Sequence, residues 1–370
     1  VERVRDQLHR QAGRCTRVRP DRRSYRAAEG ARGGDTALIG ATTAIGLLPT
    51  QAQIGVAAPI VLILARLLQG IAVGGEFGGA ATYVAEYAPK GRRGYDLSWL
   101  GVAVGGGLLA GSFGALLVTN TASPEVVNGW LWRIPFLLAL PLGLVGVYVR
   151  TQLTETPEFL AAAAASEGSA RRARNASQQM GRDMPRVLYA AGVLSAMTAA
   201  TYIFLIFLPS YLSTAMDFAK SDATVINTTA VVTFCVALPF FGKLSDRIGA
   251  PRLILISTVL LLLLSYPAMN VLDSGNVSAG IIAMVVMGIV SAMGFASGLA
   301  AIPELFSVHS RYTSLGLGWN IAAVVFGGTG PLIITEMTSL TGSILTPAYF
   351  VMAGAVCTLV ALQFRNRLAG

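Results

Sequence analysis

"GKLSDRIGAPR", residues 242 to 252, is a polar interruption between two apolar runs at roughly 223 to 242 and 253 to 272. It holds three cations, Lys243, Arg247 and Arg252, one acid, Asp246, and glycines at 242 and 249. Each flanking run is close to the ~20 residues that a helix needs to cross a hydrocarbon core. The stretch therefore reads as a tight turn at one membrane face, and its glycines supply the backbone freedom such a turn demands. A merely cationic loop accounts for Lys243, Arg247 and Arg252. It does not account for Asp246 or for the glycine spacing.

Working outward, the rest of the chain repeats the pattern. It is 54% hydrophobic and only 13% charged, a composition that excludes a soluble globular domain. Further apolar runs lie at roughly 56–84, 97–119, 131–149, 187–212, 277–303, 313–335 and 344–363, which makes nine expected spans. A tenth, "TALIGATTAIGLLP" at 36–49, is too short to cross alone and reads as the back end of a span. After residue 35, one alternate set of loops carries 15 Lys and Arg, and the opposite set only Arg133 and Lys220. Basic loops mark the cytoplasmic side, so both termini are expected there. The net charge of +9 is thus a topological signature plus an Arg-rich start, and no nucleic-acid partner is expected. Cys15, Cys235 and Cys357 are scattered, and with only His9 and His309 no metal-site spacing exists.

Residues 151–186 are polar, Ala/Ser-rich and cationic, and read as a cytoplasmic linker between two bundles, at 36–150 and 187–370. A short amphipathic helix within the linker is possible. The bundles echo one another: Glu86 is followed seven residues on by Arg93 and a Gly-rich span, and Glu304 by Arg311 and another. Parallel repeats of this kind are found in two-halved transporters.

Gly242, Leu244, Asp246, Arg247 and Gly249 resemble the signature loop of the major facilitator superfamily, Gly-x-Leu-x-Asp-Arg-x-Gly. In such a loop Asp246 can accept hydrogen bonds from a neighbouring helix N-terminus while Arg247 pairs with a carboxylate, holding one face closed. Together "RLLQGIAVGGEFGGAATYVAEYAPKGRRG", "WLWRIPFLLALPLGLVGVYVR", "ETPEF", "FLPSYL" and "PELF" followed by "RYTSLGLGWNIAAVVFGGTGPLI" are similar to the metabolite:H⁺ symporters of that superfamily. The resemblance covers residues 36 to 364. It implies an all-α polytopic membrane protein with the major facilitator fold, two helical bundles and about ten of the usual twelve transmembrane helices. It also implies proton-coupled uptake of a small polar metabolite (organic acid, amino acid or betaine) by alternating access, with protons as the coupling ion, no other cofactor and a monomer in the lipid bilayer. Three lysines against 25 arginines point to a GC-rich bacterial genome, hence to an inner membrane.

Arg66 alone among the basic residues lies within a span. A charge at mid-bilayer costs at least ~2.5 kcal/mol on insertion scales, so it is a functional candidate by default. By the resemblance, Arg66 faces the central cavity and either binds an anionic substrate or keeps a proton-coupling carboxylate ionised; snorkelling to the headgroups is the alternative. Gln69 follows on nearly the same helical face. Glu76, ten residues and ~15 Å along the axis from Arg66, is a candidate for proton coupling or for a tie to loop residues such as Arg92. Tyr202, Asn227 and Asn320 are candidates to hydrogen-bond substrate or to join helices. Four-residue glycine spacings, at 70/74/78, 101/105 and 107/111, are expected to let helices approach closely.

Residues 1–35 fit none of this: ten arginines, no lysine and no apolar run. They read either as a disordered cationic tail or as a frameshift. Val18 to Arg22, read one base later, permits Ser-Asp-Arg-Ile-Gly, the string found at Ser245 to Gly249. A membrane enzyme would need clustered acids or histidines at a membrane face, which the sequence lacks. A non-functional remnant, or a sugar or drug transporter of the same superfamily, are the alternative functions.

Overall fold

The computed structural model describes residues 22–89, 91–121, 123–152, 169–306 and 311–364. Every regular element among them is helical, the arrangement that lets backbone groups satisfy one another where no water is present. In chain order the main helices are α1 (Arg22–Leu47), α2 (Ala57–Tyr87), α3 (Arg93–Thr121), α4 (Ala139–Gln152), α5 (Ser169–Ala200), α6 (Leu208–Ala215), α7 (Lys220–Ile248), α8 (Ala250–Asp273), α9 (Val277–Ala301), α10 (Arg311–Ala322), α11 (Gly330–Thr341) and α12 (Thr346–Gln363). Two π-helical turns, Thr201–Phe207 and Ala323–Gly328, join α5 to α6 and lie between α10 and α11.

Eight stretches among the described residues are long and apolar enough to cross a bilayer: Arg93–Gly114, Leu131–Val149, Asp183–Ala215, Lys220–Ile248, Ala250–Asp273, Val277–Leu305, Thr313–Thr341 and Thr346–Gln363. They correspond to eight of the nine expected spans. The other is the helix α2, of which Ala57–Gly70 forms a shorter apolar stretch.

Both polar segments are partly helical. Helix α1 begins at Arg22, so residues 22–35 are helical rather than disordered; Ala and Arg are both good helix formers. Residues 1–21 lie outside the described residues. In the second part of the expected linker α5 starts at Ser169 and runs unbroken into the next span. Residues 153–168 lie outside the described residues.

The chain divides into two compact units, residues 1–76 with 136–152, and residues 77–135 with 153–370. In the first, α1 packs on α4, with Ile39 filling the notch left by Gly143. In the second, α7 lies between α3 and α9. A Cβ at Gly288 of α9 would stand 2.6 Å from the Ala230 carbonyl of α7, so this crossing is backbone on backbone. Helix α5 is gripped by α12, where Thr358 Oγ1 accepts from Ala196 N at 3.0 Å and donates to Gly192 O at 2.9 Å. Of the glycine stripes, Gly101 and Gly105 receive Leu238, Phe295 and Cys235, whereas Gly70, Gly107 and Gly111 have nothing within 4 Å and bring no helix closer.

Candidate functional site

Helix α7 ends at Ile248 because Gly249 adopts φ +92°, a conformation that side chains disfavour, and its N–H returns to Ser245 O at 3.0 Å. The last turn thereby places Asp246 at the N-terminus of α3, where its carboxylate accepts from Gly94 N at 2.6 Å and Tyr95 N at 2.9 Å. These are charge-assisted bonds to the positive end of a helix dipole, the combination that favours an anion most. The approach depends on two glycines. A Cβ on Gly94 would sit 2.6 Å from Gly242 O, and one on Gly242 would sit 2.8 Å from Ser98 Cβ.

Beside this clamp Arg93 makes two connections. Its Nη1 bonds Glu304 Oε1 at 3.1 Å, and its Nε donates to Ala85 O in the last turns of α2 at 3.2 Å. The repeat echo is thus closed crosswise, the arginine of the first copy meeting the glutamate of the second. Glu86 is half-buried near the end of α2, and Arg311 opens α10, its side chain lying outside what is described. Arg247 does not pair with a carboxylate as expected: it is exposed and makes no ion pair among the described residues. One step past Asp246 turns it ~100° around the helix, away from α3, and Glu304 is already held by Arg93.

An aromatic row lies deeper in the same unit. Phe77 stacks on Trp319 at 4.1 Å, Trp319 meets the edge of Phe295 at 5.8 Å, and Phe295 that of Phe234 at 5.5 Å. Counted at 1.5 Å per residue, Phe234 is ~18 Å from Asp246 along α7. A second, apolar layer therefore backs the polar clamp. Asn320, next to Trp319, is half-buried.

Within the first unit Arg66 Nη1 donates to Gln69 Oε1 at 3.3 Å, Gln69 Nε2 to Thr42 Oγ1 at 2.6 Å, and Thr42 Oγ1 to Leu38 O at 2.7 Å. The guanidinium carbon lies 6.0 Å from the centre of the Phe136 ring. This relay fixes one edge of the guanidinium and leaves its remaining N–H groups without a partner among the described residues. Glu76 is exposed, further along α2.

In the second unit the half-buried Tyr202 belongs to the first π-helical turn and lies against Gly327 of the second. Asn227 is buried, its Nδ2 donating to Leu205 O in that turn at 3.3 Å while Oδ1 has no partner. The six solute candidates thus form separate groups, Arg66 with Gln69 and Tyr202 with Asn227 at one π-helical turn. Sequence reasoning missed Thr42, Gly94 and the Phe77–Trp319 stack; only Gly94, adjoining Arg93, carried a usable signal.

The family description "Sugar (and other) transporter" matches residues 36–185, and "Major Facilitator Superfamily" matches 188–367. The chain is 34% identical over 343 residues to the ectoine/proline transporter ProP of Corynebacterium glutamicum, covering 87% of this chain and 66% of that protein. It is 32% identical to a proline/betaine transporter of Salmonella typhimurium, covering 86% and 65% respectively. With a putative proline/betaine transporter of Staphylococcus aureus it shares 35% identity, over 87% of this chain and 69% of the relative. The chain therefore spans about two thirds of the length of the curated relatives it matches. Among solved structures, the proton:xylose symporter XylE bound to 6-bromo-6-deoxy-D-glucose superposes with a TM-score of 0.71 at 13% identity, over 93% of this chain and 80% of that one. The E. coli fucose:proton symporter FucP gives 0.63 at 14%, over 90% and 83%. At that identity the likeness speaks for the fold alone, and it agrees with the sequence matches: the chain is a polytopic membrane protein that belongs to the major facilitator superfamily.

Proposed function

We propose that this protein carries a small zwitterionic osmolyte of the proline, betaine or ectoine class into a bacterial cell across the inner membrane, coupled to protons, by alternating access. The observation that supports it most is Arg66. Its guanidinium is oriented by the Gln69–Thr42 relay yet keeps N–H groups open, and a carboxylate is common to all three solutes. The names of the relatives set the solute class.

In this reading Asp246 on the α3 N-terminus and Arg93 with Glu304 form the cytoplasmic gate, with both termini on that side. The protein acts as a monomer, and Glu76 is the candidate proton-coupling carboxylate. Tyr202, Asn227 and Asn320 are the candidate polar contacts offered by the second unit. The "Sugar (and other) transporter" match supports one second reading, sugar transport.

Uptake of labelled proline, betaine and xylose by cells that lack their own carriers, with and without a protonophore, tests these readings. Osmolyte uptake that the protonophore abolishes, and that Arg66→Ala removes without loss of membrane insertion, is the expected result. Uptake indifferent to the protonophore refutes proton coupling. Xylose uptake without osmolyte uptake favours the sugar reading.

A further inference from the structure

Neither the gate nor the proposed solute contacts use the motif "FLPSYL", Phe207 to Leu212. Its Tyr211 is 2% exposed, and its hydroxyl reaches three groups: Thr338 Oγ1 at 3.1 Å on α11, Ile344 O at 3.0 Å in the turn leading into α12, and Thr346 Oγ1 at 3.3 Å on the first residue of α12. Thr338 and Thr346 also bond each other. A carbonyl only accepts, so the phenolic proton goes to Ile344 O, and the threonine hydroxyls serve the phenol oxygen and one another. The circuit is buried and closed, and it ties the end of α6 to the α11–α12 turn.

A second set of contacts lies directly beneath it. Both helices change pitch at matching positions, Thr201–Phe207 below α6 and Ala323–Gly328 below α11. The two π-helical turns touch, where a Cβ on Gly327 would stand 2.8 Å from Tyr202 Cγ, and the start of α11 adjoins the first turn, where a Cβ on Gly330 would stand 2.8 Å from Ile203 Cδ1. In each turn the normal i to i+4 bonding is interrupted, as in Thr329 N to Val324 O at 3.1 Å. Such turns are local weak points in a helix and are concentrated at functional sites. Two helices that are weak at one level and tied together beyond it bend there as a pair.

We propose that Tyr211 is a positioning residue for transport, binding α6 to the α11–α12 turn so that Leu208–Ala215 and Gly330–Thr341 swing as one body about the paired π-helical turns. The role in transport rests on the carrier reading above; the mechanical tie does not.

Spin labels at Thr214 and Ser339, both exposed, report the separation of the two segments in the full chain reconstituted in lipid. The expected result is one narrow distance distribution, unmoved by added proline or betaine, that broadens at least about twofold in Tyr211→Phe, which removes a single oxygen and all three of its bonds. Thr338→Val combined with Thr346→Val leaves the phenol in place and is expected to broaden it to a smaller degree. In cells, Tyr211→Phe should lower the maximal uptake rate by about tenfold with KM within about twofold, since no solute contact is removed.

An unchanged distribution in both variants overturns the proposal, as does a parent distribution that splits when solute is added. If Tyr211→Phe fails to insert, the double threonine variant decides. If the parent chain takes up no solute, the carrier reading fails, whereas the distance comparison still decides whether Tyr211 is a tie.

Discussion

Asp246→Ala removes the acceptor of both N–H groups at the start of α3 and leaves Gly94 and Tyr95 unpaired inside a helix contact. Two charge-assisted bonds and a favourable dipole are lost, at a cost to the closed arrangement of about 2–4 kcal/mol. At about 1.4 kcal/mol per factor of ten, the ratio of closed to open forms falls about 30- to 700-fold. Asp246→Asn keeps one acceptor oxygen but loses the charge, and should fall between that and the parent, at about 1–2 kcal/mol. Arg93→Ala is the control: its pair with Glu304 has 34% and 66% exposed side chains, so it is worth at most about 1 kcal/mol.

Ser98 offers the readout. It is fully buried, and Gly242 lies directly against it, so a cysteine there meets reagent only when α3 and α7 part. With Cys15, Cys235 and Cys357 replaced, the alkylation rate of Ser98→Cys follows the open population as long as reclosing outpaces labelling. Labelling should accelerate most in Asp246→Ala, less in Asp246→Asn and least in Arg93→Ala. If Arg93→Ala matches Asp246→Ala, or if both stay within twofold of the parent, the assignment of the clamp to the α3 N-terminus is wrong.

Two further tests compare residues of one type in different surroundings. Gly94→Ala forces a methyl against Gly242 O and should destabilise the closed form by about 1–3 kcal/mol, raising Ser98→Cys labelling, while Gly107→Ala meets no atom within 4 Å and should be neutral or stabilising by up to about 1 kcal/mol in thermal unfolding. Asn227→Ala strands the Leu205 carbonyl and should cost about 1–3 kcal/mol in the same unfolding assay, whereas Thr201→Val removes a buried hydroxyl that has no partner and should cost nothing; equal losses would show that the bond from Asn227 carries no weight.

The limits of sequence reading can be located at particular residues. Apolar run length placed the spans because the bilayer sets one length for all of them. The Asp246 contact was legible because the loop resembles a family signature in which an acid beside a glycine turn can meet a neighbouring helix N-terminus. The partner of Arg93 was not legible: the echo of Glu86/Arg93 with Glu304/Arg311 reveals a repeat, but only packing decides whether pairs close within a copy or across copies. The same holds for the glycines, where 101/105 and 107/111 have equal spacing and one pair alone meets a neighbouring helix. The π-helical turns were not foreseen, although each is followed by a proline, Pro209 and Pro331, whose missing N–H interrupts the regular ladder four residues back.

The strengths of the contacts match the proposed cycle. A gate that opens in every cycle must not be held by more free energy than solute and coupling ion can supply through tighter binding to one state. In the proposed cycle Asp246 on α3, at about 2–4 kcal/mol, with an exposed Arg93–Glu304 pair at no more than about 1, would hold the face closed without locking it. Moving a two-state equilibrium from 1:99 to 99:1 needs about 5.5 kcal/mol of differential affinity, more than the roughly 2–5 kcal/mol of these contacts together. Burying Glu304 would raise the Coulomb attraction of the pair, but each closing would then have to strip water from a carboxylate and a guanidinium, a penalty that can exceed the gain. In the proposed cycle this exposure keeps the pair weak and the opening reversible, and a variant that buries Glu304 should slow turnover by making each closing costlier.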